Sequence, residues 1–470
     1  MRTASDLALV VLTAAVVFLP ALGQEHSWSS RELRHALISL EMAATGEQLV
    51  PHLLGRPYAD KPPTFHVAAA AASRLVGSDS MLFARLPSVL AGLVGALSVY
   101  GMGRLVHGRL VARLAAVGLL SVFGYVRMAR IARPDMLFGA AIALAAFGLL
   151  LAMASRGSRD RALGFALAGA SAGLAVLTKG PYGLLFPAMV VVFAAGPGTR
   201  FTRPRLAEWA VFAAALAIAP GGWALALALG GQGDHLSQVL LQPDLVSGAS
   251  RHARSVTWYL GPVLLSSLPL SLFLWLWLRP PRPPASPFAW IALVLLVVLS
   301  LVPGKRAHYL VPWYPFAALA VCAAVGAAGD RARQLAAAAI AASVLAVPFY
   351  YGFVLPLYQP HEPLRTLADQ VLARSPQASR FVCEGSLAEA VAFQGLRSGR
   401  LRPGDVAREW VHTRAALPPG AAQAVCLVFP PSLFRDWKGA LERADVRTRT
   451  LFDAHFEGDP VRVVIVEDAA

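Results

Sequence analysis

Long apolar stretches recur along this chain, each closed by a short loop in which arginine is frequent. A stretch of about 20 apolar residues is long enough to cross hydrocarbon as a helix, so the pattern predicts membrane spans. They fall near residues 6–22, 82–103, 112–127, 136–154, 163–178, 181–197 and 208–230, then near 256–278, 287–303, 309–328 and 335–356. The stretch 64–79, TFHVAAAAASRLVGSD, is apolar but short and holds Arg74, which predicts a helix lying at the interface. From about residue 360 the pattern changes. SRFVCEG, AVCLVFPP and VRVVIVED read as strands, and LRTLADQVLARS and SLAEAVAFQGL as helices. That alternation predicts a small α/β domain of about 110 residues.

Composition agrees with the spans. Of 470 residues, 56% are hydrophobic and 15% charged, with a mean hydropathy of +0.56. Soluble domains carry about 25% charged residues, so a soluble chain is excluded. The net charge of +15 does not argue for nucleic acid, because the basic residues sit in short loops between spans instead of on one face. The cysteines Cys322, Cys383 and Cys426 match no zinc or redox spacing. Cys322 reads as packing within a span, and Cys383 with Cys426 as either a disulfide or two buried thiols. The first 24 residues have the shape of a signal peptide or of an uncleaved first span; the topology that follows is the same either way.

Charge sets the orientation. With the N-terminus inside, the inner loops carry Arg104, Arg109 and Arg113; Arg156, Arg159 and Arg161; Arg200, Arg203 and Arg205; Arg279 and Arg282; and Arg331 and Arg333. This satisfies the positive-inside rule at every inner loop and puts the first large loop, 23–81, and the C-terminal segment outside. Other cations then stand at outer span ends: Lys61, Arg127, Arg130, Arg133, Lys179, Arg251, Arg254, Lys305 and Arg306. Snorkelling helix ends account for some of them. Their clustering beside Asp60 and Asp135 points instead to an outer cavity that binds an anion. Only four lysines occur, at 61, 179, 305 and 438, and three of them are in this set. Lysine offers a compact point charge suited to a phosphate oxygen.

Five stretches carry a resemblance: RELRHALISLEMAATGEQLVPHLLGRPYADKPP, ARLPSVLAGL, ARIARPDMLF, GLAVLTKGPYGLLFP and GKRAHYLVPWYP, spread over residues 31–315. In their order they resemble the C-type membrane glycosyltransferases, near the aminoarabinose transferase of lipid A modification and the protein O-mannosyltransferases. The resemblance implies an all-α polytopic fold of about 11–13 transmembrane helices over residues 1–358. It adds juxtamembrane helices in the first outer loop, and residues 359–470 follow as a soluble extracytoplasmic α/β domain. It further implies a bacterial inner-membrane enzyme, a polyprenyl-phosphate-linked sugar as donor and an extracytoplasmic acceptor that is a lipid, a glycan or a protein.

The residues carry over one at a time. YADKPP is similar to the family's Tyr-Phe-Glu-Lys-Pro, which makes Lys61 the phosphate ligand, Asp60 an orienting group or metal ligand, and Tyr58 a substrate contact. Lys179, Lys305, Arg306 and Arg254 would join the phosphate site, with His308, Tyr309 and Arg34 at the substrate. Asp135 matches an acid at the outer start of the fourth span. A divalent metal (Zn, Mg or Mn) would be held by Asp60 and His252. The family opens its first loop with Asp-Glu-x-Arg-Tyr, whereas this chain has Arg31, Glu32, Leu33, Arg34 and His35. Three outcomes follow: Glu32 acts as the base, Asp135 or Glu25 does, or transfer chemistry is lost.

A sugar on a polyprenyl phosphate already carries an activated bond. The protein must hold the phosphate, neutralise the charge that grows on it, and deprotonate the acceptor. No second nucleophile is evident, so direct displacement with inversion is expected. A flippase of lipid-linked sugars would need polar residues through the spans, and a non-catalytic binder of lipid phosphate remains the third reading.

Overall fold

Apolar residues in hydrocarbon leave backbone groups no partner but one another, so the long stretches fold as helices. In the computed structural model these are α1 (Arg2–Phe18), α2 (Ser30–Thr45), the hairpin β1 (His52–Leu53) and β2 (Arg56–Pro57), α3 (Thr64–Val76), α4 (Leu82–Val106), α5 (Arg109–Leu119) and α6 (Phe123–Ala129). Then come α7 (Pro134–Ala154), α8 (Ser158–Lys179), α9 (Leu185–Ala194), α10 (Leu206–Leu229), α11 (Gly233–Leu240), α12 (Leu260–Ser266), α13 (Pro287–Leu301), α14 (Tyr314–Ala327) and α15 (Asp330–Phe349). The C-terminal part has α16 (Pro363–Arg374), β3 (Arg380–Cys383), α17 (Gly385–Arg397), β4 (Val406–Ala407), β5 (Val425–Phe429), β6 (Val446–Phe456) and β7 (Asp459–Asp468). The structure describes residues 2–24, 30–194, 201–240, 253–277, 286–358, 363–376, 378, 380–383, 385–407, 425–429, 446–456 and 459–468.

Among the described residues, five helical segments are long and apolar enough to cross a membrane: α4, α7, α8, α10 and Asp330–Leu357. Two helix pairs are long and apolar enough only when taken together, and each is bent at a short break, α5 with α6 at 62° and Val256–Ser266 with Leu270–Trp277 at 119°, as a broken span or a re-entrant loop is. Four shorter apolar helices, Thr3–Phe18, α9, α13 and α14, occupy the remaining stretches. The chain is thus a membrane protein whose apolar elements fall in the eleven stretches expected. Stretch 64–79 forms the 13-residue α3, about 20 Å at 1.5 Å per residue and too short to span.

The chain divides into two compact units. The first comprises residues 1–22, 59–65 and 85–354. At its centre α7 lies close along α8: a Cβ on Gly164 would meet the Cβ of Ala152 at 2.6 Å. Such close backbone approach is how helices pack where lipid removes the hydrophobic drive. Pro134 suits the first turn of α7, and Gly180, at φ +94°, ends α8 in the left-handed region, its N–H on the Val176 carbonyl at 2.7 Å. These two caps fix Asp135 and Lys179 at helix termini. Cys322 is buried within α14, as packing predicts.

The second unit comprises residues 23–58, 66–84 and 355–470. This differs from the expected division, in which 23–81 goes with the membrane part. Contacts distant in sequence decide it. Arg34 Nε binds Glu389 Oε1 at 2.9 Å, and the Phe83 and Phe393 rings stack at 6.5 Å. The Glu41 carboxylate accepts the N–H groups of Leu54 and Gly55, at 2.8 and 3.1 Å, across the hairpin turn. The five-stranded sheet has the order β4-β3-β5-β7-β6; β3 is parallel to β4 and β5, and β7 is antiparallel to β5 and β6. The strands β4 and β6 add to the three read from the sequence. Cys383 is buried on β3, while the side chain of Cys426, on β5, lies outside the described residues.

Candidate functional site

The first turn of α7 and the last turn of α8 bring an acid and a base face to face. Lys179 Nζ meets Asp135 Oδ1 at 2.6 Å, and Arg133 Nε lies 3.3 Å from Oδ2. His308, in the short 3-10 helix Ala307–Leu310, brings Nε2 to 3.9 Å from the same carboxylate. Asp135 is 3% exposed, so this carboxylate is buried and answered by cations. Each charge also suits its helix end, acid at an N-terminus and base at a C-terminus. Lys179 Nζ lies 4.8 Å from the Tyr309 ring centroid and 5.5 Å from that of Phe138. The ammonium is therefore held between a carboxylate and two aromatic faces.

Lys61 completes the group electrostatically. Burial lowers its ammonium pKa below the ordinary value, and the charges of Lys179 and Arg306 lower it further. The carboxylates of Asp60 and Asp135 act in the opposite direction. Its Nζ donates to the Asp60 carbonyl at 2.6 Å. Burial likewise pushes His308 down to about 3, with Arg133, Lys179 and Arg306 adding to the effect against Asp135. His308 is thus neutral at pH 7, and its approach to Asp135 is a contact, not an ion pair. Among the described residues, Lys61, Arg133, Lys179 and Arg306 set four cations against the carboxylates of Asp60 and Asp135. The excess positive charge sits at helix ends and suits an anion of one or two charges.

A surrounding layer holds the cations in place. Lys305 is 3% exposed and its Nζ donates to the carbonyls of Val302, at 2.7 Å, and Arg254, at 3.1 Å. Lys305, expected at the phosphate, thus has its ammonium joining two loops. Tyr259 OH donates to the Arg306 carbonyl at 3.3 Å, and Ser88 Oγ to that of Arg133 at 3.3 Å. Arg254 is exposed, with its guanidinium 5.9 Å from the Trp258 ring. Arg130 serves the fold: it donates to the carbonyls of Val17, at 3.0 Å, Phe18, at 2.6 Å, and Pro20 beyond the end of α1, and lies on the Tyr351 ring.

Glu32, Arg34 and Tyr58 belong to the second unit. Glu32 is 1% exposed in the first turn of α2, and Arg34 is tied to Glu389. Tyr58 turns its ring edge to His66, with centroids 6.1 Å apart. His35 Nδ1 and His66 Nε2 share a hydrogen bond of 3.0 Å. Glu25, Arg251 and His252 lie outside the described residues. Asp60 is exposed, and among the described residues no three His, Cys, Asp or Glu side chains gather to hold a metal ion. Sequence reasoning counted Arg133 among the outer cations without giving it a site role, and it missed Phe138. The signal for Phe138 is its place one turn after Asp135 on the same helix face.

Known proteins resemble this chain in the same region. A family model described as dolichyl-phosphate-mannose-protein mannosyltransferase matches residues 60–223, a range holding Lys61, Asp135 and Lys179. The undecaprenyl phosphate-alpha-4-amino-4-deoxy-L-arabinose arabinosyl transferase of Aeromonas salmonicida is 30% identical over 329 residues, 66% of this chain and 58% of the relative. A protein of the same description from Sodalis glossinidius is 30% identical over 360 residues, 70% of this chain and 60% of the relative. The chain thus spans about three fifths of the length of these relatives. The crystal structure of ArnT from Cupriavidus metallidurans bound to undecaprenyl phosphate matches with a TM-score of 0.76 at 18% identity, covering 98% of both chains. The Archaeoglobus fulgidus oligosaccharyltransferase, in complex with Zn and sulfate, matches with a TM-score of 0.53 at 13% identity, over 94% of this chain and 70% of the other. The fold is that of the C-type membrane glycosyltransferases, and the resemblance read from the sequence is borne out.

Proposed function

We propose that this relative of the aminoarabinose transferases moves a sugar from a polyprenyl-phosphate-linked donor to an extracytoplasmic lipid, glycan or protein. The observation that carries the reading is the cation excess around Asp135: four cationic side chains meet two carboxylates at the ends of apolar helices. A lipid's phosphoryl group arrives at that depth, and in a site drier than water each charge acts more strongly on it. The names of the relatives, which specify undecaprenyl phosphate, support the same donor class.

Lys61, Lys179 and Arg306 bind the phosphate, and Asp135 keeps Lys179 aimed at it. Arg254 joins them at the phosphate, and His308, Tyr309, Arg34 and Tyr58 are the substrate contacts. The acceptor oxygen attacks the anomeric carbon as the bond from that carbon to the phosphate oxygen breaks. Its proton passes to the Glu32 carboxylate, the polyprenyl phosphate leaves with the bond's electron pair, and the anomeric centre inverts. Asp60 and His252 are the pair this reading would give to a divalent ion. Two donors fall short of the three protein ligands of a catalytic zinc. The inner-membrane location and the outward-facing site belong to the same proposal and rest on the arginine-rich inner loops.

Transfer of labelled sugar from a synthetic polyprenyl-phosphate donor tests it, with Glu32→Gln and Lys61→Ala as variants. Transfer by the wild type, lost turnover with retained donor binding in Glu32→Gln, and donor binding weakened roughly 10- to 100-fold in Lys61→Ala support the reading. Donor binding without transfer by the wild type would favour the non-catalytic binder suggested by Arg31.

A further inference from the structure

Lys61 and Lys179 come from segments more than a hundred residues apart, and their like charges repel. In the donor reading both must reach one phosphate. Three residues after Lys61, Thr64 opens α3, and its hydroxyl donates to the Leu177 carbonyl at 2.7 Å. A helix-opening threonine commonly turns its oxygen to its own helix N–H groups; this one reaches across to another helix. Leu177 lies two residues before Lys179 in the last turn of α8, where carbonyls lack a partner within the helix. The bond therefore caps α8 and joins the two lysine-bearing segments at once.

Both connections from this bond to the lysines are stiff. Between Lys61 and Thr64 stand Pro62 and Pro63, both buried, whose rings fix their φ angles. Between Leu177 and Lys179 the chain is helical and closed by the Gly180 cap. At the far side Lys179 is fixed again by Asp135 at 2.6 Å.

We propose that Thr64 is a positioning residue for the lipid-phosphate site, its hydrogen bond to Leu177 setting the separation of Lys61 and Lys179. This inference rests on the donor reading above. Without the bond, repulsion drives the lysines apart in the empty protein, and the phosphate must draw them together as it binds.

The test measures binding of a polyprenyl phosphate to the full-length protein in detergent, for the wild type, Thr64→Val, Thr64→Ser, Lys61→Ala and the double variant Thr64→Val/Lys61→Ala. Valine keeps the branched shape without the hydroxyl, and serine keeps the hydroxyl. Thr64→Val should weaken binding roughly fivefold, equivalent to one net hydrogen bond of about 1 kcal/mol, and Thr64→Ser should bind as the wild type does. On the Lys61→Ala background, Thr64→Val should add no further loss, a coupling that general loosening of the fold would not produce. Equal binding by Thr64→Val and the wild type would overturn the inference, as would the same fivefold loss on both backgrounds. A wild type that binds no polyprenyl phosphate would instead overturn the donor reading itself.

Discussion

Replacing Lys61 with methionine separates binding from folding, because the two respond in opposite directions. The substitution keeps the unbranched side chain and removes the charge. In the proposed complex the ammonium makes a charge-assisted hydrogen bond to phosphate, a contact of about 1.5–3 kcal/mol. Its loss predicts a donor dissociation constant raised roughly 10- to 100-fold. In the free protein the same ammonium is half-buried, with the charges of Lys179 and Arg306 acting on it, and its pKa is lowered. A lysine whose folded pKa lies below its unfolded value costs stability at all pH values below the folded pKa. That cost fades as pH rises toward the ordinary value of 10.5. The wild type should therefore gain thermal stability over Lys61→Met variants' own trend as pH rises through that window. At neutral pH Lys61→Met should melt no lower than the wild type. Thermal melts between neutral pH and pH 10, paired with titration of a polyprenyl phosphate, measure both effects. Unchanged donor affinity in Lys61→Met would refute the phosphate role, and a marked fall in its melting temperature would refute the electrostatic argument.

Three other outcomes follow from the site. Asp135→Asn removes one partner of a buried ion pair, a change that costs about 3–5 kcal/mol, and should lower both the melting temperature and donor affinity; a variant as stable as the wild type would contradict the counter-ion role. Glu32→Gln should bind donor normally and lose turnover in the labelled-sugar assay, and retained turnover would remove Glu32 from the chemistry. His308, pushed from 6.5 to about 3, makes the wild type lose stability as pH falls through that interval, because the unfolded chain takes up the proton first. Acid melts of His308→Gln should be flatter over the same range, and a matching slope would show that His308 is not held neutral.

Much of the site was legible because membranes penalise charge. Lys61, Lys179, Arg306 and Asp135 stand out in an apolar chain, and each maps to a helix end or loop beside hydrocarbon. Burial against distant backbone was not legible. Lys305 bonds to carbonyls of Val302 and Arg254, and Arg130 caps α1 from 113 residues away, so both read from sequence as anion ligands. The division into units was hidden for a similar reason: Arg34 and Glu389, 355 residues apart, tie the first loop to the C-terminal segment. The strand β6 escaped because VRTRTLFDAHF alternates polar and apolar residues without the compact apolar run that marked β5 and β7. The bend between α5 and α6 has no proline to announce it, only the sequence LSV between two apolar runs.

A cryo-electron microscopy map of the protein in nanodiscs with a polyprenyl phosphate tests the central claim most directly. The account predicts phosphate density in contact with Lys61, Lys179 and Arg306, with Asp135 still bonded to Lys179. Headgroup density elsewhere, with these three side chains arranged as in the free protein, would contradict it.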